Sequence, residues 1–246
     1  TELPAGVRLA TAKRGGVTVT RVEIAREGLA RPRGRYVTLE MPSVSVLDER
    51  DADVIETGAA ELRALLPPEG PVLVLGIGNR RVTADALGPR TAQKILVTMG
   101  PQHTLPVRGI RPVAALAPGV SGDTGLTLRQ LAAAMVGAVR PAALICVDSL
   151  CSAEAARLGR TIQFSDTGLH PADARHARHL DAAALGVPVI AAGIPTLMDA
   201  DEGADLVLTP RALDSVIAHG SALLAGILNR ALQPRLSVAQ LCWLTG

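Results

Sequence analysis

The chain has 246 residues, 48% of them hydrophobic and 20% charged, with a net charge of +2. A chain of this length buries about three quarters of its unfolded surface and needs no disulfide or metal staple, and its composition is that of a folded domain, not a disordered one. Aromatic content is 1%, made up of Tyr36, Phe164 and Trp243, which excludes a base-stacking nucleic-acid platform, and a net of +2 supplies no basic face for a polyanion.

In chain order, Thr1 to Arg14 lacks the charged-then-apolar order of a signal peptide. The chain starts at Thr1 instead of Met, which points to trimming or processing. Residues 17–24 alternate apolar and polar with β-branched enrichment, as do residues 35–41, which Pro42 ends; both read as half-exposed strands. The segment from Gly28 to Gly34 joins them, so they are expected to pair as a hairpin arm, either as an appendage or as an antiparallel edge. Residues 49–66 carry Val54, Ile55, Ala59, Leu62, Leu65 and Leu66 at helical spacing, and Pro67, Pro68 and Gly70 stop the helix.

The pattern changes at Pro71. Three continuous apolar runs follow: Val72 to Gly78, Ala142 to Val147, and Val187 to Gly193. Strands buried on both faces read this way. Helical stretches are expected at 85–98, 127–139, 151–158 and 210–231. Alternation of buried strands and helices predicts an α/β fold: a three-layer sandwich with a mostly parallel central sheet flanked by helices, plus a small N-terminal β appendage. No apolar run reaches the ~18 residues of a membrane span. Cys146, Cys151 and Cys242 are odd in number and scattered, which fits a reducing compartment. Together these features predict a soluble, cytosolic protein with no membrane contact.

Ligands of open parallel sheets sit beyond the carboxyl ends of the strands. Three polar clusters are expected there: Gly76 to Asn79 running on to Asp85 and Gly88, then Asp148 with Ser149, then Ser165 to Pro171. The Gly76-Ile77-Gly78 turn lacks the third glycine of a dinucleotide fingerprint, since Arg81 stands there beside Arg80, and Pro101-Gln102-His103 occupies the region of the acidic ribose partner. The plainer reading is that Gly76 and Gly78 let the chain leave a buried strand sharply.

Asp85 and Asp148 each follow a strongly apolar run, so a parallel sheet would bring both to one cleft. Paired carboxylates cannot both ionise easily, and the retained proton lets one act as acid while the other activates water. With a His, the same pair has the chemistry of a divalent-metal site. Against both stands the reading of Asp85 as a helix N-terminal residue favoured by the macrodipole. His170, His176 and His179 match no zinc spacing, and Arg175 and Arg178 among them suit a solvated basic segment. Asp166 and Thr167 are candidates either for substrate contact or for satisfying turn amides. No Gly-x-Ser-x-Gly elbow occurs; Cys151 beside Asp148 is the alternative nucleophile, and Cys146 reads as core.

These residues resemble a known family. The run from Gly76 to Pro89 is similar to the signature of germination protease, the spore endopeptidase of endospore-forming bacteria. Further similar segments are Arg111 to Val120 with Gly122 and Thr124-Gly125, Val147 to Leu150, Thr161 to Pro171, Gly193 to Ala200, Gly16 to Thr20 and Leu208 to Pro210. The likeness departs at Ala84, where members carry Pro, and over residues 172–179, where they carry glycines.

The resemblance implies a single catalytic domain over residues 1–246, with a β-rich appendage at 1–48 and an α/β core at 70–232. It implies an atypical aspartic endopeptidase, related in fold to hydrogenase maturation proteases, whose essential aspartates match Asp85 and Asp148. Small acid-soluble spore proteins are the implied substrates, cleaved in the spore core during germination. Asn79, Arg80, Arg81, Asp166, Thr167 and His170 are the expected substrate-side residues, and Gly76, Gly78 and Gly88 the expected turn residues. A zymogen, a homotetramer and no cofactor are also implied. The alternatives are a metal-dependent peptidase using Asp85, Asp148 and His170, and a silent relative that binds spore proteins without cleaving them. Thr1-Glu2-Leu3 resembles the Thr-Glu-apolar pattern at which the family cuts. Direct contact with nucleic acid is not expected.

Overall fold

A computed structural model describes residues 3–100, 109–169, 180–199 and 207–245. The N-terminal arm holds β1 (Val7–Arg14), β2 (Val17–Ile24) and β3 (Gly34–Glu40), followed by α1 (Ala52–Leu65). Then come β4 (Val72–Gly76), a 3-10 turn (Thr83–Asp85), α2 (Leu87–Ala92), β5 (Val113–Leu116), α3 (Ser121–Thr124) and α4 (Leu128–Val139). The last part has β6 (Ala143–Cys151), β7 (Thr161–Ser165), α5 (Ala182–Leu185), β8 (Val189–Asp199), β9 (Val207–Leu208), α6 (Leu213–Leu232) and α7 (Val238–Thr245).

One mixed sheet runs β1-β2-β3-β7-β8-β6-β4-β5, with β9 paired to β8. The β8-β6-β4-β5 part is parallel and the β1-β2-β3-β7-β8 part antiparallel. The α/β class stands, but the sheet is parallel in only part of its width. The hairpin arm forms as the alternation requires, and β3 pairs with β7, Leu39 opposite Ile162, so the arm is an antiparallel continuation of the central sheet. Strand β1 has no counterpart in the sequence expectations. Its cue was Gly15-Gly16, both at positive φ (55° and 78°), which make the two-residue turn that joins β1 to β2.

The two halves of the sheet are buried differently. In the parallel half both faces are covered. Val72, Val74, Ile145 and Val147 face one hydrophobic cluster with α1 and α6, while Leu73, Leu75, Leu144 and Cys146 face another with α4. In the antiparallel half Val17, Val19, Val37 and Leu39 are buried, and Thr18, Thr20 and Thr38 between them are half-buried. That is the period-2 signature of a sheet packed on one side. With few aromatics, the helices close on the core through small residues. A β-carbon at Gly58 of α1 would lie 2.8 Å from Ile227 Cδ1 of α6, and one at Gly226 would lie 3.1 Å from Ile55 Cδ1. Arg21 Nε donates to the buried Glu61 (2.6 Å), tying β2 to α1.

Several expected helices are shorter or absent. Residues 151–158 do not form one. Strand β6 continues to Cys151 because its last residues pair with Gly193–Leu197 of β8, and a 3-10 turn at Ala155–Arg157 follows. Helix α2 ends early because the Asn229 side chain takes the Leu96 N–H (2.9 Å) and the Lys94 carbonyl (2.9 Å). Helix α6 is long and apolar enough to cross a membrane by length and composition, which the sequence reading did not register. It is instead the central core helix, packed against α1 and α2. Phe164 is the one aromatic of the core. Phe164→Ala is expected to destabilise the fold by about 3–5 kcal/mol, measurable as a lower urea midpoint with an unchanged slope.

Candidate active site

The carboxyl edge of the parallel strands is built around three glycines. A β-carbon at Gly76 would lie 2.1 Å from the Gly88 carbonyl oxygen, and one at Gly88 would lie 2.2 Å from that of Ile77 and 2.3 Å from that of Val147. The start of α2 therefore rests directly on the backbone where β4 ends and on Val147 of the neighbouring β6. Gly78 has φ of +124°, and a β-carbon there would lie 2.0 Å from the Asp85 carbonyl oxygen. Only glycine fits such a conformation and approach.

This packing places Asp85. It is the last residue of the Thr83–Asp85 turn and half-buried, and its Oδ2 accepts the Asn79 N–H (2.7 Å). The turn packs on both β6 and β8. From β8, the fully buried Thr196 donates its hydroxyl to the Ala84 carbonyl oxygen (2.9 Å). Asp148 comes from β6, 8% exposed, with Oδ1 accepting the Ser149 N–H (2.8 Å). Gly193 lies opposite it on β8. Beside it the Ser149 hydroxyl is buried with no hydrogen-bond partner among the described residues. Asp85 and Asp148 thus stand on neighbouring segments at one edge of the sheet.

The other candidates are spread out. Arg80 and Arg81 are exposed on the loop before Asp85. With the Gln93 amide oxygen turned toward it, Arg80 donates at 2.6 and 3.1 Å. Arg81 Nη1 meets Asp123 Oδ1 at 3.2 Å. Asp166 and Thr167 do not lie at this edge. Strand β7 runs antiparallel to β8, with Gln163 opposite Gly193 and Ser165 opposite Ala191, so its exit loop sits toward the other end of the sheet. There Asp166 accepts from the Arg35 N–H and Nε, both at 2.7 Å, and the Thr167 hydroxyl meets Ser165 Oγ at 2.7 Å. His170, His176, His179 and the 172–179 segment lie outside the described residues.

Among the described residues no three His, Cys, Asp or Glu side chains gather to hold a cation. Two aspartates, each bonded to a backbone N–H, do not by themselves make the set of three or more protein ligands typical of such centres. His170, the third donor of the metal alternative, lies outside the described residues. Sequence reasoning overlooked Thr196; its cue was a Thr inside a buried apolar strand, where a hydroxyl needs a specific acceptor.

The thiols divide by burial. Burial, then the Asp148 charge, pushes the Cys146 thiol far up, so it is not a nucleophile at neutral pH. Cys151 is exposed. Iodoacetamide on the native protein is expected to modify Cys151 and leave Cys146 until denaturant is added, read by peptide mass mapping.

Comparison with known proteins gives this geometry a family. The family model described as germination protease matches residues 2–202. A germination protease of Clostridium perfringens (strain 13 / Type A) is 32% identical over 278 aligned positions, covering 89% of this chain and 86% of that protein. That of Bacillus velezensis is 37% identical, covering 84% and 58%. That of Caldanaerobacter subterraneus is 39% identical, covering 81% and 65%. Among solved structures, a [NiFe] hydrogenase maturation protease HycI from Thermococcus kodakarensis superposes with a TM-score of 0.46 at 16% identity, covering 70% of this chain and 98% of that one. A family match over most of the chain, with relatives above 30% identity along most of their own length, makes this chain a member of the germination protease family of endopeptidases.

Proposed function

We propose that the chain cleaves small acid-soluble spore proteins in the spore core during germination, with Asp85 and Asp148 as the catalytic pair. The observation that carries this reading is the placement of the two carboxylates at one carboxyl edge, each anchored by a neighbouring backbone N–H. In this reading the two carboxylates share one proton. The ionised member takes a proton from water as its oxygen attacks the scissile carbonyl carbon. The protonated member then gives its proton to the departing amine nitrogen, and the peptide C–N bond breaks. The zymogen form and the homotetramer that the resemblance implies belong to the same reading.

Asp85→Asn and Asp148→Asn are each expected to lower the cleavage rate of a purified small acid-soluble spore protein by about 10²–10⁴-fold, with melting unchanged. Fragments are read by mass mapping. Full activity in either variant would overturn the dyad, and binding without cleavage by the unmodified chain would make it a binding relative. Activity that disappears on chelation and returns with a divalent cation would replace the acid–base pair with a metal mechanism.

Thr196 serves as a positioning residue, because its hydroxyl holds the residue before Asp85. Misplacing a reacting group by about 1 Å costs on the order of 10²-fold in rate. Thr196→Val is therefore expected to lower kcat with little change in KM, and Thr196→Ser to restore it. Equal kcat in the Val variant would remove Thr196 from this role.

A further inference from the structure

Among the described residues, the outer edge of β5 is unpaired at its carboxyl end. Among the described residues β5 is the last strand of the sheet and pairs with β4 alone. The Val72 N–H donates to the Pro112 carbonyl (2.9 Å). In a parallel ladder this fixes the phase: Pro112, Ala114 and Leu116 direct their backbone groups to β4, and Val113 and Ala115 direct theirs outward. Val113 confirms it. Its N–H goes to Thr98 Oγ1 (2.9 Å), and its carbonyl accepts from the Thr98 and Met99 N–H groups (3.0 Å each). The outward side is therefore occupied at the amino end. It opens at Ala115, whose N–H and carbonyl meet no partner among the described residues.

This edge differs from the opposite one. Strand β1 is long and carries Arg8, Lys13 and Arg14, charges of the kind that discourage strand addition. Strand β5 reads Val-Ala-Ala-Leu, without charge, and its Leu116 is 39% exposed. The edge also leads to the site. Beyond Leu116 the chain enters α3, whose Asp123 meets Arg81 of the loop that ends at Asp85. Being parallel to β4, β5 opens at the same edge of the sheet as Asp85 and Asp148.

We propose that the polypeptide substrate docks as an added strand along the outer edge of β5, with the Ala115 N–H and carbonyl forming the ladder bonds and the Arg81–Asp123 pair at its upper end. The inference rests on the protease reading and states what that site accepts: a segment of substrate that is extended and has no partner strand of its own. Recognition is by main chain, with side-chain identity secondary. Folded proteins are poor substrates because their strands are already paired.

The test replaces one N–H. Ala115→Pro removes the outward donor, and proline is tolerated at a sheet edge. KM for a small acid-soluble spore protein is expected to rise about tenfold, the weight of one hydrogen bond, with kcat and melting temperature close to those of the unmodified chain. Ala114→Pro removes a donor to β4 and is the control, expected to lower the melting temperature. An unchanged KM in a stable Ala115→Pro chain would overturn the proposal. A second measurement covers a variant that fails to fold. In the Asp148→Asn protein, hydrogen exchange at the Ala115 amide is followed with and without a synthetic extended peptide from a small acid-soluble spore protein. Slower exchange supports strand addition, and unchanged exchange at saturating peptide overturns it. If the unmodified chain cleaves nothing, the protease reading fails, whereas the Ala115 exchange result still decides where a peptide binds.

Discussion

At Gly88 the first turn of α2 lies so close to Ile77, just past β4, and to Val147 of β6 that no side chain fits between them. Two strands and a helix meet there through backbone alone, and the geometry of the site follows from that approach. The short segment from Ile77 to Ala86 has to return over the strand ends within a few residues, so it turns at Gly78 and forms the 3-10 turn that ends in Asp85. Asn79 reaches the Asp85 carboxylate because the loop is this tight. Thr196 holds the same turn from β8, so three consecutive strands of the sheet, β4, β6 and β8, all bear on one carboxylate.

The sheet divides this work between its halves. The parallel half is buried on both faces and is a rigid support, suited to holding two acids in fixed relation. The antiparallel half covers only one face with helix, and it contributes breadth to the core under α1 and α6. Strand β8 belongs to both halves, parallel to β6 and antiparallel to β7. That change of direction at β8 carries the Asp166 loop toward the far end of the sheet from Asp85.

Much of this was legible in the residues. The runs at Val72, Ala143 and Val189 read as buried strands because each face of each strand meets a hydrophobic cluster. Strand β2 and helix α4 matched their patterns closely, since alternation and helical spacing are local signals. The failures share a non-local cause. Residues 151–158 have helical composition, but their fate depends on how far β8 extends alongside β6. The end of α2 depends on Asn229, far away in sequence. The Asp166 loop was placed wrongly because the direction of β7 is set by β3 and β8, and nothing within residues 161–165 records it. At the site, the two aspartates stood out by following apolar strands, whereas Thr196 did not, because its acceptor is a main-chain carbonyl on another segment.

Helix α6 has a consequence for how the chain comes to be folded. It is the element against which α1 and α2 pack, and its residues share one cluster with β2, β3, β4, β6 and β8. It follows every strand of the sheet in the order of synthesis. A nascent chain that has emerged as far as β8 holds its strands, both aspartates, α1 and α2, but lacks the helix against which α1 and α2 pack. Its core closes only when residues 213–232 leave the ribosome, and contacts of such wide sequence separation form slowly. During that interval the incompletely covered apolar surface is an aggregation hazard, and the edge that bears Asp85 and Asp148 lacks the support of α6 behind α2. The core that β2 to β8 begin is completed by the helix that follows them.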